Sequence, residues 1–244
     1  MEQKEIKKLL EQVSKGELSI EDATLKLKEA PFEDLGFAKL DYHRSLRQGI
    51  AEVIYGAGKT PEQIFAIARA MQEHGQKTVL ITRMGAEVAK IVGDNIKLKY
   101  FEMGNVGIVG EMPMPDGRGK ILVATGGTSD MQVAEEAALT AEALGNEVIR
   151  LYDVGVAGLH RLLAHKGDIM SASVIVAVAG MEGALASVIG GLASCPVLAV
   201  PTSVGYGASF HEKVPKRTTR IAPNIKRNTD SLAPFFSASR FCSC

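Results

Sequence analysis

Apolar positions at the start of the chain recur with a helical period. Ile6, Leu9, Leu10 and Val13 share one face, Gly16 stops the run, and Ser19 with Asp22 caps a second one. Residues 1–30 are therefore predicted to form two short helices. The stretch DLGFAKLDYHRSLRQGIAEVIYGAGKT, residues 34–60, reads as extended. It ends at Thr60-Pro61, a cap followed by proline at the first helical position. The helix predicted from 61 to about 74 stacks Ile64, Ala68 and Met71 on one face, and Gly75 ends it. A strand at 78–82, a short helix near 87–92 and apolar extended pieces at 96–101 and 106–109 follow. Pro113, Pro115 and Gly117 then make a linker, where a domain boundary is placed.

Beyond Lys120 the pattern becomes regular. Strands are predicted at 121–125, 147–152, 173–180 and 195–201. An alanine-rich helix at 130–144 closed by Gly145, a short helix at 156–165 and a small-residue helix after Gly183 separate them. The strand runs are continuously apolar, without polar alternation, which means cover on both faces. Strand, turn and helix repeated in this way imply right-handed crossovers and a three-layer α/β/α sheet with parallel strands. Ligands of such sheets bind beyond the carboxyl ends of the strands, and the unusual residues of this chain gather there.

Gly126-Gly127-Thr128-Ser129-Asp130 joins a buried strand to a helix. Glycines let the backbone approach a ligand, the helix start offers free N–H groups, and two hydroxyls add donors, so a phosphate suits the loop. A plain turn with Ser or Asp capping the helix explains the same residue types. The loop is neither G-x-G-x-x-G nor a Walker loop, which weighs against a dehydrogenase or a nucleoside triphosphatase. After the next strand, Asp153-Val-Gly155-Val-Ala-Gly158-Leu-His160-Arg161 offers a guanidinium for a phosphate or carboxylate and an imidazole for proton transfer. Glu182, in Ala179-Gly180-Met181-Glu182-Gly183, is a carboxylate that burial would turn into a competent acid or base. The alternative is a solvated loop residue. Thr202 and Ser203, with Gly205 and Gly207, stand where a loop closes over a ligand. Asp41-Tyr42-His43-Arg44 and Arg47 form a dense ionisable group, for which a solvated face is the plain explanation. His74 and His165 sit near helix C-termini, where an imidazolium is favourable.

Composition changes this picture at one place. The 244 residues carry 28 basic and 28 acidic side chains, a balance that argues against a nucleic-acid surface. No apolar run reaches the length of a membrane span, and the charged start lacks a secretory core. Three cysteines without paired spacing fit a reducing, cytoplasmic setting rather than disulfides or zinc. The neutral sum hides a break. Residues 211–244 hold 7 Lys and Arg against 2 Asp and Glu, and none of the 25 glycines. That tail has no useful periodicity and reads as irregular.

The order GGTSD, DVGVAGLHR, VAGMEGAL and CPVLAVPTSVGYGASF resembles the core of the aminoimidazole ribonucleotide (AIR) carboxylases and mutases, the PurE-like fold. The resemblance is closer to the LarB family of nickel-pincer cofactor biosynthesis, through DLGFAKLDYHRSLRQGIAEVIYGAGKTPEQI, GVAGLHRLL, AGMEGALASVIGGL and PTSVGYGASF, over roughly residues 1–210. Three regions result: a helical and α/β N-terminal region at 1–117, a flavodoxin-like, PurE-like core at 118–210, and the basic tail at 211–244.

The resemblance implies a reaction. CO2, as co-substrate, carboxylates the pyridinium ring of nicotinic acid adenine dinucleotide, and hydrolysis of the phosphoanhydride releases AMP. The product is pyridinium-3,5-biscarboxylic acid mononucleotide. Glu182 matches the acidic residue at the reacting ring and His160 is a second candidate for proton transfer. Gly126, Gly127, Thr128, Ser129, Asp130 and Arg161 are candidates for phosphate, and Thr202, Ser203, Asp41 and Arg44 for the rest of the substrate. No tightly bound cofactor is expected, magnesium is left open, and a cytoplasmic homo-oligomer without nucleic-acid or membrane partners is implied. The rivals are an AIR carboxylase or mutase and a nucleotide-binding protein without turnover. One departure bears on the choice. Where the family continues into a glycine- and alanine-rich helix carrying a nucleophilic cysteine, this chain turns at His211 into the basic tail. No cysteine occurs between Cys195 and Cys242, and the third is Cys244. An altered reading frame at this end, with loss of the nucleophile, is the resulting expectation.

Overall fold

The computed structural model describes residues 3–28, 32–42, 44, 49–117 and 119–203. His43, Arg47, Gly205, Gly207, Cys242, Cys244 and the tail 211–244 lie outside them. Among the described residues, those within Met1–Lys99 and Gly107–Glu111 form one compact unit, and those within Tyr100–Val106 and Met112–Cys244 a second.

In the first unit the two N-terminal helices form as their caps dictate. They are α1 (Gln3–Ser14) and α2 (Ile20–Lys28), separated by Gly16 at φ +72°. Ser19 Oγ accepts the Asp22 N–H at 2.9 Å. Among its described residues the predicted extended stretch holds three short strands: β1 (Phe32–Asp34), its antiparallel partner β2 (Lys39–Asp41), and β3 (Ile54–Tyr55). Turns break it up, the first closed by Asp34, which accepts the Gly36 N–H at 2.8 Å. Helix α3 (Pro61–Glu73) starts on a capping box, with Thr60 and Gln63 each bonding the other's backbone, and buries Ile64, Ile67, Ala68 and Met71. Then come β4 (Thr78–Thr82), α4 (Ala86–Gly93), β5 (Leu98–Phe101) and β6 (Val106–Gly110). The sheet order is β3-β4-β6-β5, with β4 parallel to β3 and antiparallel to β6.

The second unit is the repeating one. Strand β7 (Lys120–Thr125) leads through a 3-10 turn, Thr128–Asp130, into α5 (Met131–Ala143) and β8 (Glu147–Leu151). A second 3-10 turn at Val156–Gly158 precedes α6 (Leu159–Ala164) and α7 (Lys166–Ser171); β9 (Val174–Ala179), α8 (Ala184–Leu192) and β10 (Val197–Pro201) follow. All four strands are parallel, in the order β10-β9-β7-β8. Alternate side chains divide the core into two layers. Ile121, Val123, Val176 and Val178 pack with Ala134, Ala138 and Ala141 of α5. Leu122, Ala124, Ile175 and Ala177 pack with Leu162, Ile169, Leu185 and Ile189 from α6, α7 and α8. This is the three-layer α/β/α, PurE-like arrangement that the sequence predicts.

Two details differ from prediction. The single helix expected at 156–165 is a 3-10 turn and a short helix, and α7 was not foreseen; His165, at φ −105° and ψ 24°, bends the chain between α6 and α7, and fully buried Ile169 anchors the new element. Strand β10 was expected to be covered on both faces, yet Val197 to Val200 are only half-buried. It is the edge of the described sheet and has a neighbour, β9, on one side alone.

Candidate active site

The strand order sets where a ligand fits. From β7 the chain moves to β8 on one side, then crosses back to β9 on the other. The crossovers therefore diverge between β7 and β9, and the place beyond their carboxyl ends is the ligand position expected of such a sheet. The loops flanking it are residues 126–130 and 180–183.

Polar contacts join these loops to their neighbours. Thr125, fully buried at the end of β7, accepts the Asp153 N–H on its Oγ1 at 2.9 Å and the Val154 N–H on its carbonyl at 3.0 Å. The loops after β7 and β8 touch so closely that a Cβ on Gly155 would lie 2.4 Å from the Gly126 carbonyl oxygen. On the other side Gly126 donates to the Val178 carbonyl at 3.0 Å, and Thr202 donates its N–H to Ala179 at 3.2 Å. Asp130 closes the set. The residue is 5% exposed, and its carboxylate accepts hydrogen bonds from the Gly127 N–H at 3.2 Å and the Thr202 hydroxyl at 2.6 Å. A buried carboxylate needs such donors, and here they fix the β7 loop to the end of β10.

Asp130 also changes the reading of the glycine loop. The carboxylate reaches back to Gly127 rather than forward to cap α5. The donors left for a phosphate are those of Thr128 and Ser129: both residues are exposed, and no protein acceptor among the described residues takes their N–H groups. Arg161 lies on α6 beyond the β8 loop, its Nη1 2.6 Å from Asp153 Oδ2. His160, beside it, is exposed. Ser203 is exposed and Thr202 half-buried.

Of the two readings of Glu182, the structure has the solvated loop residue: it is exposed rather than buried. The setting is local: the β9 ladder ends at Ala179, and Met181 takes a left-handed φ of +55°, so Glu182 stands in a turn beyond the strand. Glu182 is thus an exposed ionisable group in the loop after β9.

Asp41 and Arg44 belong to the first unit. Arg44 is not on a solvated face: its side chain is 14% exposed and pairs with Glu52 at 2.6 Å. Asp41 ends β2, opposite Phe32. Cys195 precedes β10 and so stands at the amino edge of the parallel sheet, packed half-buried against the core, with burial pushing its thiol pKa up. The five residues of β10 put about 17 Å of strand between it and the Thr202 rim. Among the described residues no cluster of three or more His, Cys, Asp or Glu forms a metal site. Two contributors went unrecognised in the sequence, Thr125 and Asp153. A hydroxyl ending an apolar strand and an acid opening the DVG motif were the available signals.

Comparison with known proteins agrees with this architecture. Residues 32–111 match the LarB/PurE-like N-terminal domain, and residues 120–211 match AIR carboxylase. An uncharacterized protein of Methanocaldococcus jannaschii is 36% identical over 213 residues, covering 84% of this chain and 83% of that protein. The AIR carboxylase match stops at residue 211, where the composition changes. No described helix is long and apolar enough to cross a membrane. Both domain matches, in this order, together with the parallel core, assign the chain to the LarB-like proteins with a PurE-like, carboxylase-type core.

Proposed function

We propose that the strand-end rim binds nicotinic acid adenine dinucleotide and serves carboxylation of its pyridinium ring by CO2, with release of AMP. The product is pyridinium-3,5-biscarboxylic acid mononucleotide. The observation that carries this reading is the bond from Thr202 to buried Asp130, which draws the glycine loop, with its free Thr128 and Ser129 donors, to the end of β10. Arg161 adds a cation for phosphate or carboxylate, and Glu182 a carboxylate in the loop after β9.

The chemistry explains why these groups are wanted. A cationic pyridinium does not attack electrophilic CO2. A thiolate adding to the ring would make it a neutral, enamine-like diene whose remaining meta carbon forms the new C–C bond; among the described residues Cys195 alone carries a thiol. Glu182 then takes the proton from that carbon, and departure of the nucleophile restores aromaticity. His160 is the second candidate for moving a proton. Binding through Thr128, Ser129 and Arg161 holds the phosphates while the ring sits beside Glu182. CO2 is the co-substrate, and magnesium enters, where it is used, with the phosphates. The family relationship supports a cytoplasmic homo-oligomer as the working form.

One observation favours a second reading, nucleotide binding without turnover. The described cysteine, Cys195, lies at the opposite edge of the sheet with its thiol pKa raised by burial, so it does not supply the ring nucleophile. Incubation with nicotinic acid adenine dinucleotide and labelled bicarbonate, followed by mass spectrometry, separates the two. Turnover yields AMP and a labelled mononucleotide. Calorimetric binding with no AMP after hours selects the second reading, and carboxylation of aminoimidazole ribonucleotide instead would overturn both.

A further inference from the structure

Arg161 already has an anion. Its guanidinium is held by Asp153 at 2.6 Å, with the two side chains 41% and 50% exposed. Three features build this contact rather than leave it to chance. Asp153 adopts a left-handed φ of +56°, and its N–H is tied to the buried Thr125 hydroxyl at 2.9 Å. The carboxylate is therefore delivered from a fixed backbone. Gly158 keeps room for the arginine: a Cβ there would lie 2.7 Å from Nε and 3.1 Å from the second terminal nitrogen. The loop carrying Asp153 also touches the glycine loop through Gly155 and Gly126. The loop that carries Asp153 thus touches the loop that carries the free donors of Thr128 and Ser129.

We infer that Asp153 is a resident counter-ion for Arg161 and sets the charge an incoming ligand must carry. The contact uses one oxygen and one nitrogen. A half-exposed pair of this kind is weak, so a ligand offering two phosphate oxygens in a bidentate fork displaces it. A monoanion such as chloride or acetate brings a single negative charge, no more than Asp153 already supplies, and is turned away. The ligand class selected is a di- or polyanionic phosphate, pyrophosphate above all. The inference rests on the reading of the rim as a nucleotide site and adds to it a residue that governs selectivity.

Asp153→Asn removes the charge while keeping the backbone, since asparagine tolerates positive φ. Calorimetry on the full chain with inorganic pyrophosphate is expected to show affinity raised about fivefold, the upper worth of such a pair. Excess acetate competes in the variant and not in the parent protein. Arg161→Met loses most of the binding, and adding Asp153→Asn to it changes nothing further. Without any ligand, phenylglyoxal modifies Arg161 faster in Asp153→Asn, read by peptide mass spectrometry. Unchanged or weaker pyrophosphate binding in Asp153→Asn overturns the inference, as do parent-like binding by Arg161→Met or an unchanged labelling rate. If the pyrophosphate pattern holds and nicotinic acid adenine dinucleotide fails to bind, the proposed substrate falls and the counter-ion stands.

Discussion

Gly155→Ala is expected to destabilise the second unit by about 2–3 kcal/mol and to abolish nucleotide binding. The added methyl would meet the Gly126 carbonyl oxygen at 2.4 Å, and both atoms belong to, or are fixed to, backbone. No rotamer relieves that overlap, and overpacking of this kind costs about 1–3 kcal/mol. The loops after β7 and β8 must separate, which strains the bonds from Asp153 and Val154 to Thr125. For a chain of this size the loss lowers the melting temperature by about 4–12 °C. Gly167→Ala is the control. Gly167 lies in α7, is exposed, and has no atom near its missing side chain. Alanine there should leave stability unchanged or improve it slightly. Equal melting temperatures for the two variants would show that the loops are not in the contact described.

Glu182→Gln is expected to reduce turnover by about a hundredfold to ten-thousandfold, the range of a positioned general base, with little change in substrate affinity. Gln keeps the shape and removes the basic oxygen. Because Glu182 is exposed, the substitution should shift stability by no more than about 0.5 kcal/mol. Loss of affinity in proportion to turnover would assign Glu182 to binding instead. The measurement is the rate of labelled product formation beside calorimetric affinity, each on protein whose melting temperature has been checked.

The parallel core is legible in the sequence because its strands are covered on both faces and its turns carry glycine. Leu122 and Val123 read as one apolar run, and in the structure they face opposite helix layers. The cap at Thr60 with Pro61 after it is legible for the same local reason, whereas the reciprocal bond from Gln63 is seen only in the structure. What escaped depends on tertiary register. The Asp130–Thr202 bond spans 72 residues and exists only because β10 lies parallel to β9. Asp153 looked like part of a turn until its carboxylate met Arg161. In the sequence Tyr42 belongs to an ionisable cluster and His74 to a helix end. They stack with ring centres 3.8 Å apart, and the Tyr42 hydroxyl donates to Glu33, so burial and that carboxylate hold its ionisation well above the usual range. Glu182 shows the converse: residue type and loop position are legible in the sequence, whereas its exposure is seen only in the structure.

The claim that most depends on the fold is that four loops, each ending a different strand, serve one ligand. Hydrogen–deuterium exchange with and without nicotinic acid adenine dinucleotide tests it most directly. Simultaneous protection of residues 126–131, 153–161, 180–185 and 202–203 is the expected result. Protection of one of these segments alone, or of segments elsewhere in the chain, would contradict it.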